Sequence, residues 1–490
     1  MSIQDNIDVV PDAAPDAAPV VAAEEAEGTL TGKEKVAYGV GDLGNGFMFD
    51  LGQVYLTKFW IDTAGIGPAV VALIFVLVKL FDAVMDTVAA LFIDGRKVGK
   101  RGKFRPVMMV SACILAVMTV VTFTMPDVSL GWKIAFAAGS YAIWGATFSF
   151  ANGPYGSLAS VMTRNIKERA QLATSRQAGS LGAQWICGIA FIPLMMMLGG
   201  MTASNYMWAA LVMALLGMVS FALCYRGTKE HVKVNREANK EKTSLKDYGR
   251  AVLTNRPLLG LVLMSLFTIS SMNVNNMMMI FFAQFNLGNI ALMAVLNFVM
   301  IGASIVGIMF IPRLVVRFGK KRTVMVSFAI AVAANGLNFI LPTNLWTFMI
   351  LVTIGYVALS IPNGITWAFV SDTIDYGEWH TGVRREGMTY AAFSFSRKVS
   401  QSLAALVGAG MLAVSGYVAQ ATSQSEGTLL GIKAVMTLYP AVALTIAAII
   451  VYFIYNVSDD KYRRIAKDLN EGRWEHGIIG ESTRASLAMK

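Results

Sequence analysis

The feature that most restricts this chain is the recurrence of apolar runs long enough to span a bilayer, about 20 residues each. They fall at roughly 36–60, 68–92, 106–125, 132–157, 174–199, 205–225, 257–284, 290–316, 323–342, 345–370, 387–414 and 430–456. Hydrocarbon offers a backbone no hydrogen bonds, so runs of this length satisfy their amides as helices. The chain reads as an all-α membrane protein of twelve transmembrane helices. Its 55% hydrophobic and 15% charged residues lie outside the range of soluble globular chains.

Charge placement sets the orientation. Of the 41 Lys and Arg, 34 lie in or at the edge of loops and tails on one side, which the positive-inside rule assigns to the cytoplasm together with both termini. The net charge of +10 is spread over separate loops, where anionic head groups attract it, and calls for no nucleic acid. Cys113, Cys187 and Cys224 fall in or beside spans with no disulfide or zinc spacing and read as small core residues.

Within the second run stand Lys79, Asp82 and Asp86, followed by a basic loop from Arg96 to Arg105. At 100° per residue the three charges share one helix face. A charge at the bilayer centre costs about 2.5 to 3.5 kcal/mol on insertion scales, so this stripe must face protein or a wet cavity. We read it as a coupling site. The first run adds Asp42 near its inner end and Asp50 deeper, the latter a candidate for substrate or cation contact.

Residues 1–31 form an acidic tail without Lys or Arg and are expected to be disordered. Gly39-Val-Gly-Asp-Leu-Gly44 matches a dinucleotide-binding pattern in form only, because no strand precedes it; glycines in a membrane helix let neighbours approach. Asn152-Gly-Pro-Tyr155 and Ile361-Pro-Asn363 occupy corresponding places six runs apart, and the basic loop at 96–105 recurs at Arg317–Arg322. This period implies two similar halves, 32–225 and 257–457, joined by a cytoplasmic linker at 226–256 and followed by a tail at 458–490. Broken helices at corresponding positions of two halves point to a central site.

With these motifs in order, the chain resembles the major facilitator superfamily, and within it the glycoside-pentoside-hexuronide:cation symporters. The resemblance rests on Phe81-Asp-Ala-Val-Met-Asp86, Gly102-Lys-Phe-Arg-Pro106, Pro154-Tyr-Gly-Ser-Leu158, Asp372-Thr-Ile-Asp-Tyr-Gly-Glu-Trp379 and Thr381-Gly-Val-Arg-Arg-Glu-Gly387. It implies a fold of two pseudo-symmetric six-helix bundles, a multi-pass place in the bacterial inner membrane, a monomer, and no cofactor beyond a coupling Na⁺ or H⁺. It further implies that Asp82 and Asp86, with Ser149, bind the cation, that Lys398 lies between cation and sugar, and that Arg176 contacts sugar. Asp372 and a charged loop at 375–386, with Asp375, Glu378, Arg384 and Arg385, resemble a cytoplasmic gate, which would pair with the inner loops carrying Arg96 and Arg105. Asn152, Tyr155, Asn363 and Trp367 complete the expected substrate contacts, Trp367 as a ring for a sugar face.

Two departures bear on cargo. Where melibiose-type carriers have acidic residues in the first and fourth helices, this chain has Gly46 and Asn152, and Gly156 replaces a Trp. Losing acids while keeping Arg176 and Lys398 suits an anionic sugar, a uronide or sulfonated glycoside, over a neutral xyloside or galactoside. A lysolipid carrier and a non-transporting sugar sensor on the same fold are the other readings. An enzyme is not expected, because no nucleophile-base pair or metal-ligand spacing appears.

Overall fold

A computed structural model of the chain describes residues 30–96, 99, 101–163, 165–231, 255–382, 386–475 and 477–478. Most of the N-terminal tail, the linker from 232 to 254, Arg384 and Arg385, and residues after 478 lie outside the described residues.

Ten helices are long and apolar enough to cross a membrane among the described residues. They include α3 (Pro68–Gly95), α4 (Phe104–Thr122), α5 (Leu130–Met162), α6 (Ile166–Met197) and α7 (Ala203–Gly227). After the linker come α8 (Arg256–Phe281), α9 (Leu292–Phe318), α10 (Lys320–Ile340) and α11 (Leu345–Thr381). The tenth span joins α13 (Glu426–Lys433), a π turn at Ala434–Leu438 and α14 (Tyr439–Phe453). Two further expected runs are helical and packed among these. One is α1 (Gly32–Asn45), continued by a π turn Gly46–Asp50, α2 (Leu51–Lys58) and a π turn Phe59–Thr63; the other is α12 (Glu386–Val414). These two carry Asp42, Asp50, Lys58 and Asp62, and Arg397 and Lys398. The charges that thin their apolar character are the ones gathered in the interior.

Helix α1 packs on α6 and α7, α3 on α5, and α4 on α5 and α7; six spans later, α8 packs on α12 and α14, α9 on α11, and α10 on α11 and α14. The two sets are joined by α3 against α12, α6 against α9, and α2 against α8. The caps repeat too. Glu230, after α7, accepts the N–H groups of Lys103, Phe104 and Arg105 at 2.8, 2.9 and 3.0 Å. Asp459, after α14, accepts that of Lys320 at 3.0 Å. Each carboxylate satisfies the orphan donors at a helix start, where the helix dipole favours it.

The glycines of α1 are packing glycines. A Cβ on Gly39 would stand 2.3 Å from Ser175 Oγ, and one on Gly41 2.5 Å from the Tyr155 ring. Gly179 of α6 in turn leaves 2.0 Å between such a Cβ and the Gly39 carbonyl. Close helix approach in lipid depends on this absence of side chain.

Three expectations need correction. Helices α5 and α11 are not broken at Pro154 and Pro362; both run through, to Met162 and Thr381. Each proline removes one donor but leaves the flanking turns intact. The charged segment after Asp372 is therefore helix as far as Thr381, ended by Gly382 at φ 71°, a left-handed cap open to glycine. Cys113 is exposed, whereas Cys187 and Cys224 are buried. In the C-terminal tail, α15 (Asp459–Asn470) docks on α11 through Trp379 Nε1, which donates to Asp468 at 3.0 Å.

Candidate functional site

Helix α3 brings Lys79, Asp82 and Asp86 to the side that meets α5 and α12. Lys79 is 4% exposed and Asp82 also 4%. The Lys79 ammonium lies 3.6 Å from Asp82 Oδ2 and over the rings of Phe49 and Tyr141, 5.0 and 5.5 Å from their centres. Room for the Asp82 carboxylate is made by Gly145 of α5, where a Cβ would stand 2.1 Å from Oδ1. That Oδ1 is buried and has no hydrogen-bond partner among the described residues.

One turn on, Asp86 is gripped from two helices. Ser149 Oγ donates to its Oδ1 at 2.5 Å, and the Lys398 ammonium, from α12, forms an ion pair with Oδ2. Lys398 also donates to the Asp82 carbonyl at 2.9 Å. Thus each carboxylate of α3 has its own lysine. An open, mixed-polarity cavity of about 360 Å³ begins at Asp86 and Ser149 and extends past Asn152, Ser157 and Ser160.

The second cluster lies on α1, α5 and α6. Arg176 Nη2 donates to Asn152 Oδ1 at 3.1 Å and its Nε lies 3.4 Å from Asp42 Oδ1. Asn45 Nδ2 bonds both acceptors, at 3.3 and 3.2 Å. The guanidinium stacks 5.1 Å above the Tyr155 ring. Tyr155 itself is fully buried, and its hydroxyl donates to the Tyr38 carbonyl at 2.7 Å. Tyr155, expected among the sugar contacts, here forms the floor under Arg176. Gly156 gives Arg176 its space, with a Cβ there only 3.3 Å from Nη1. Gly46 abuts Ala183, and a Cβ on it would be 2.2 Å from the Ala183 Cβ. An acid at that position would separate α1 from α6.

Asp50 ends the first π turn, half-buried, with no hydrogen bond or ion pair among the described residues. A π turn inside a helix inserts one residue and often marks a functional site. Facing it electrostatically are Asp42 and Arg397. Arg397 is a site residue that the motif reading passed over; its signal was already present, since a second arginine inside a lipid-length run needs a reason. On α11, Asn363 is half-buried and donates to the Leu359 carbonyl at 3.2 Å. Trp367 is 46% exposed and meets Phe393 edge-on at 5.2 Å.

The expected gate residues divide. Both oxygens of buried Asp372 accept from Lys320, at 2.7 and 2.5 Å. Asp375 accepts from the Tyr462 hydroxyl at 3.0 Å, and Glu378 sits on the last turns of α11. Arg105 is held by the Tyr225 carbonyl and stacks 4.6 Å over the Tyr225 ring. Arg96 is exposed beside an apolar groove of about 470 Å³ with Phe81, Phe92 and Phe150. The lining of that larger groove is almost wholly apolar and offers few partners for sugar hydroxyls.

At the far end of the first span, Lys58 and Asp62 pair at 2.5 Å. The Tyr417 hydroxyl donates to both Asp62 oxygens at 2.8 and 3.0 Å, and Gln420 Nε2 to the Asp62 carbonyl at 2.9 Å. Lys58 lies over Phe281, 4.7 Å from its centre. The helices of the first set are tied to those of the second at this end.

The MFS/sugar transport protein family matches residues 37–459. An uncharacterized symporter of Bacillus subtilis, YjmB, is 48% identical over 92% of this chain and 98% of its own length. A protein of Escherichia coli named as a sulfoquinovose importer is 33% identical, covering 92% and 96%. The glucuronide carrier protein homolog of Escherichia coli is 30% identical, covering 93% and 99%. Among solved structures, a crystal structure of a point mutant of the nucleoside transporter NupG superposes with a TM-score of 0.62 at 11% identity, covering 85% of this chain and 99% of that one. That likeness speaks for the fold alone. With the family matched across nearly all the described helices, the chain belongs to the MFS/sugar transport proteins and is a multi-pass sugar transporter of that type, not an enzyme.

Proposed function

We propose that this protein is a cation-coupled symporter of an anionic sugar, working by alternating access between two six-helix bundles, 32–225 and 257–457. The repeated contact pattern and the paired caps by Glu230 and Asp459 support the two-bundle, twelve-helix reading. The basic loops support a cytoplasmic placement of both termini. A monomer suffices, since both halves of the site come from one chain.

One observation carries the coupling role: Asp82 Oδ1 is buried without a hydrogen-bond partner among the described residues, on the helix face that also carries Asp86, met by Ser149 and Lys398. A buried, unsatisfied carboxylate oxygen is costly, and Na⁺ or H⁺ at that point would satisfy it. The entering cation would be held by Asp82, Asp86 and Ser149 and would compete with Lys398 for Asp86. Lys398 belongs to the other bundle, so its release joins cation binding to a change between halves. Sugar and cation then raise each other's affinity by the same factor, about 1 to 3 kcal/mol of coupling.

The cargo assignment rests on the second cluster and on relatives named for sulfoquinovose and glucuronide, one carrying a sulfonate and the other a carboxylate. Arg176 lies within reach of Asn152 and the cavity that Asn152 lines.

The test is uptake of methyl β-D-glucuronide and of sulfoquinovose into proteoliposomes under an imposed Na⁺ or pH gradient. One gradient is expected to drive accumulation. Asp86→Asn is expected to lose accumulation while keeping downhill counterflow; accumulation by the variant would overturn the assignment of Asp86.

A further inference from the structure

Arg176 and Arg397 belong to different halves of the molecule, yet each lies within electrostatic reach of the other and of Asp42. Their circumstances differ. Arg176 is already charge-paired: Asp42 neutralises it, Asn152 accepts from one of its five N–H groups, and Tyr155 supports its plane. Arg397 has no hydrogen bond and no ion pair among the described residues, and Asp50, the acid that faces it, makes neither as well.

The face of α12 that carries Arg397 is fixed by its neighbours. Ser396 and Ser400 are buried, donating to the Val262 and Ser265 carbonyls of α8 at 2.7 and 3.3 Å. Lys398 is turned to α3 by its bonds to Asp82 and Asp86. Phe395, 59% exposed, takes the outer side. What remains at helical spacing is Ser394, Arg397 and Gln401. Ser394 and Arg397 are exposed and Gln401 half-buried. The charged groups within reach of Arg397, namely Arg176, Asp50 and Asp42, all belong to the other half, which orients the guanidinium toward the space between the halves and away from lipid. A guanidinium within reach of another guanidinium, with no partner among the described residues, is tolerated only where water or an anion receives it.

We infer that Arg397 seats the acid group of the cargo, its planar fork taking a carboxylate or sulfonate, while Arg176, already neutralised by Asp42, serves the sugar hydroxyls. Lys398, paired with Asp86 until the cation enters and bonded to the Asp82 carbonyl, is assigned to coupling and not to the anion. This rests on the anionic-cargo reading above and assigns the discrimination to one residue. Asp50 then acts as the competing internal anion that the cargo displaces. A guanidinium fork matches two acid oxygens at once, which a lysine cannot.

The experiment measures binding of methyl β-D-glucuronide, sulfoquinovose and uncharged methyl β-D-glucoside to the full-length purified protein, wild type and Arg397→Gln. Wild type is expected to favour the acids by about tenfold or more, and the variant to bind all three within about threefold of one another. If wild type shows no preference for the acids, the anionic-cargo reading itself falls. Should wild type prefer them and Arg397→Gln keep that preference, only the assignment to Arg397 falls. A measurement on wild type avoids any folding defect: phenylglyoxal modification at Arg397, read by peptide mass spectrometry. Protection by the acids and not by the glucoside is expected, and unchanged modification would overturn the inference. The glucuronide and sulfoquinovose arms separate a carboxylate seat from a sulfonate seat.

Discussion

Substituting Gly145 by Ala probes the coupling site without touching a charged residue. The added methyl carbon would stand 2.1 Å from Asp82 Oδ1 and 2.8 Å from its Cγ, so the carboxylate must move by about 1 Å or more to regain normal contact. Asp82 has little freedom, since its partner Lys79 is 4% exposed and already 3.6 Å from Oδ2. Moving the acid leaves the ammonium the Phe49 and Tyr141 rings and the more distant Asp86. Separating a buried ion pair costs about 3 to 5 kcal/mol. Expressed wholly in cation affinity, that is a loss of about 10² to several times 10³-fold. The assay is cation stimulation of glucuronide uptake in proteoliposomes, with thermal stability measured alongside. Gly139→Ala, on the same helix with nothing within 4 Å of the new methyl, is the control and should behave as wild type. Wild-type cation dependence and stability in Gly145→Ala would refute the argument that Asp82 is fixed by this contact.

Two further outcomes follow from groups at the ends of the spans. Tyr417→Phe removes the hydroxyl that bridges both Asp62 oxygens. Hydrogen bonds to charged groups contribute about 1.5 to 3 kcal/mol, so opening at that end should become about 10 to 100-fold more frequent. Maleimide labelling of a single cysteine at Gln53 in a background without Cys113, Cys187 and Cys224 reads this, and an unchanged rate would count against a latch. Glu168 lies outside the membrane-crossing part of α6. Burial pushes its carboxyl up, but the Thr163 hydroxyl, the Leu30 N–H and Lys35 outweigh this and hold it below its ordinary 4.5. A lowered folded-state value stabilises above the unfolded value and is lost as pH falls through the folded one. Thermal stability should therefore fall on acidification below 4.5 in wild type, with a shallower slope in Glu168→Gln; identical slopes would assign the effect elsewhere.

The apolar period was legible because it answers to a single constraint, backbone satisfaction in hydrocarbon, that acts residue by residue. For the same reason Asp82, Asp86, Asp50 and Arg176 stood out as charges in the wrong solvent. Arg397 stood in the same class, yet the motif drew attention to Lys398 beside it. Neighbours in sequence on a helix point about 100° apart, and only packing reveals that one turns to α3 and the other to open space. The expected breaks at Pro154 and Pro362 failed because a proline perturbs one turn, and whether the helix survives depends on what surrounds it. Tyr155 looked like a binding residue by its place beside Asn152, but its hydroxyl is taken by a carbonyl 117 residues away.

From sequence alone came the membrane class, the repeat, and the set of charges that must be paired or used, since each depends on composition along one helix. Which charge pairs with which was decided only by the tertiary structure, because Lys79 and Lys398 are both within reach of acids in principle and helix packing divides Asp82 and Asp86 between them. The same packing leaves Arg397 without a partner among the described residues and within electrostatic reach of Arg176, a relation between two halves of the chain that no local pattern encodes.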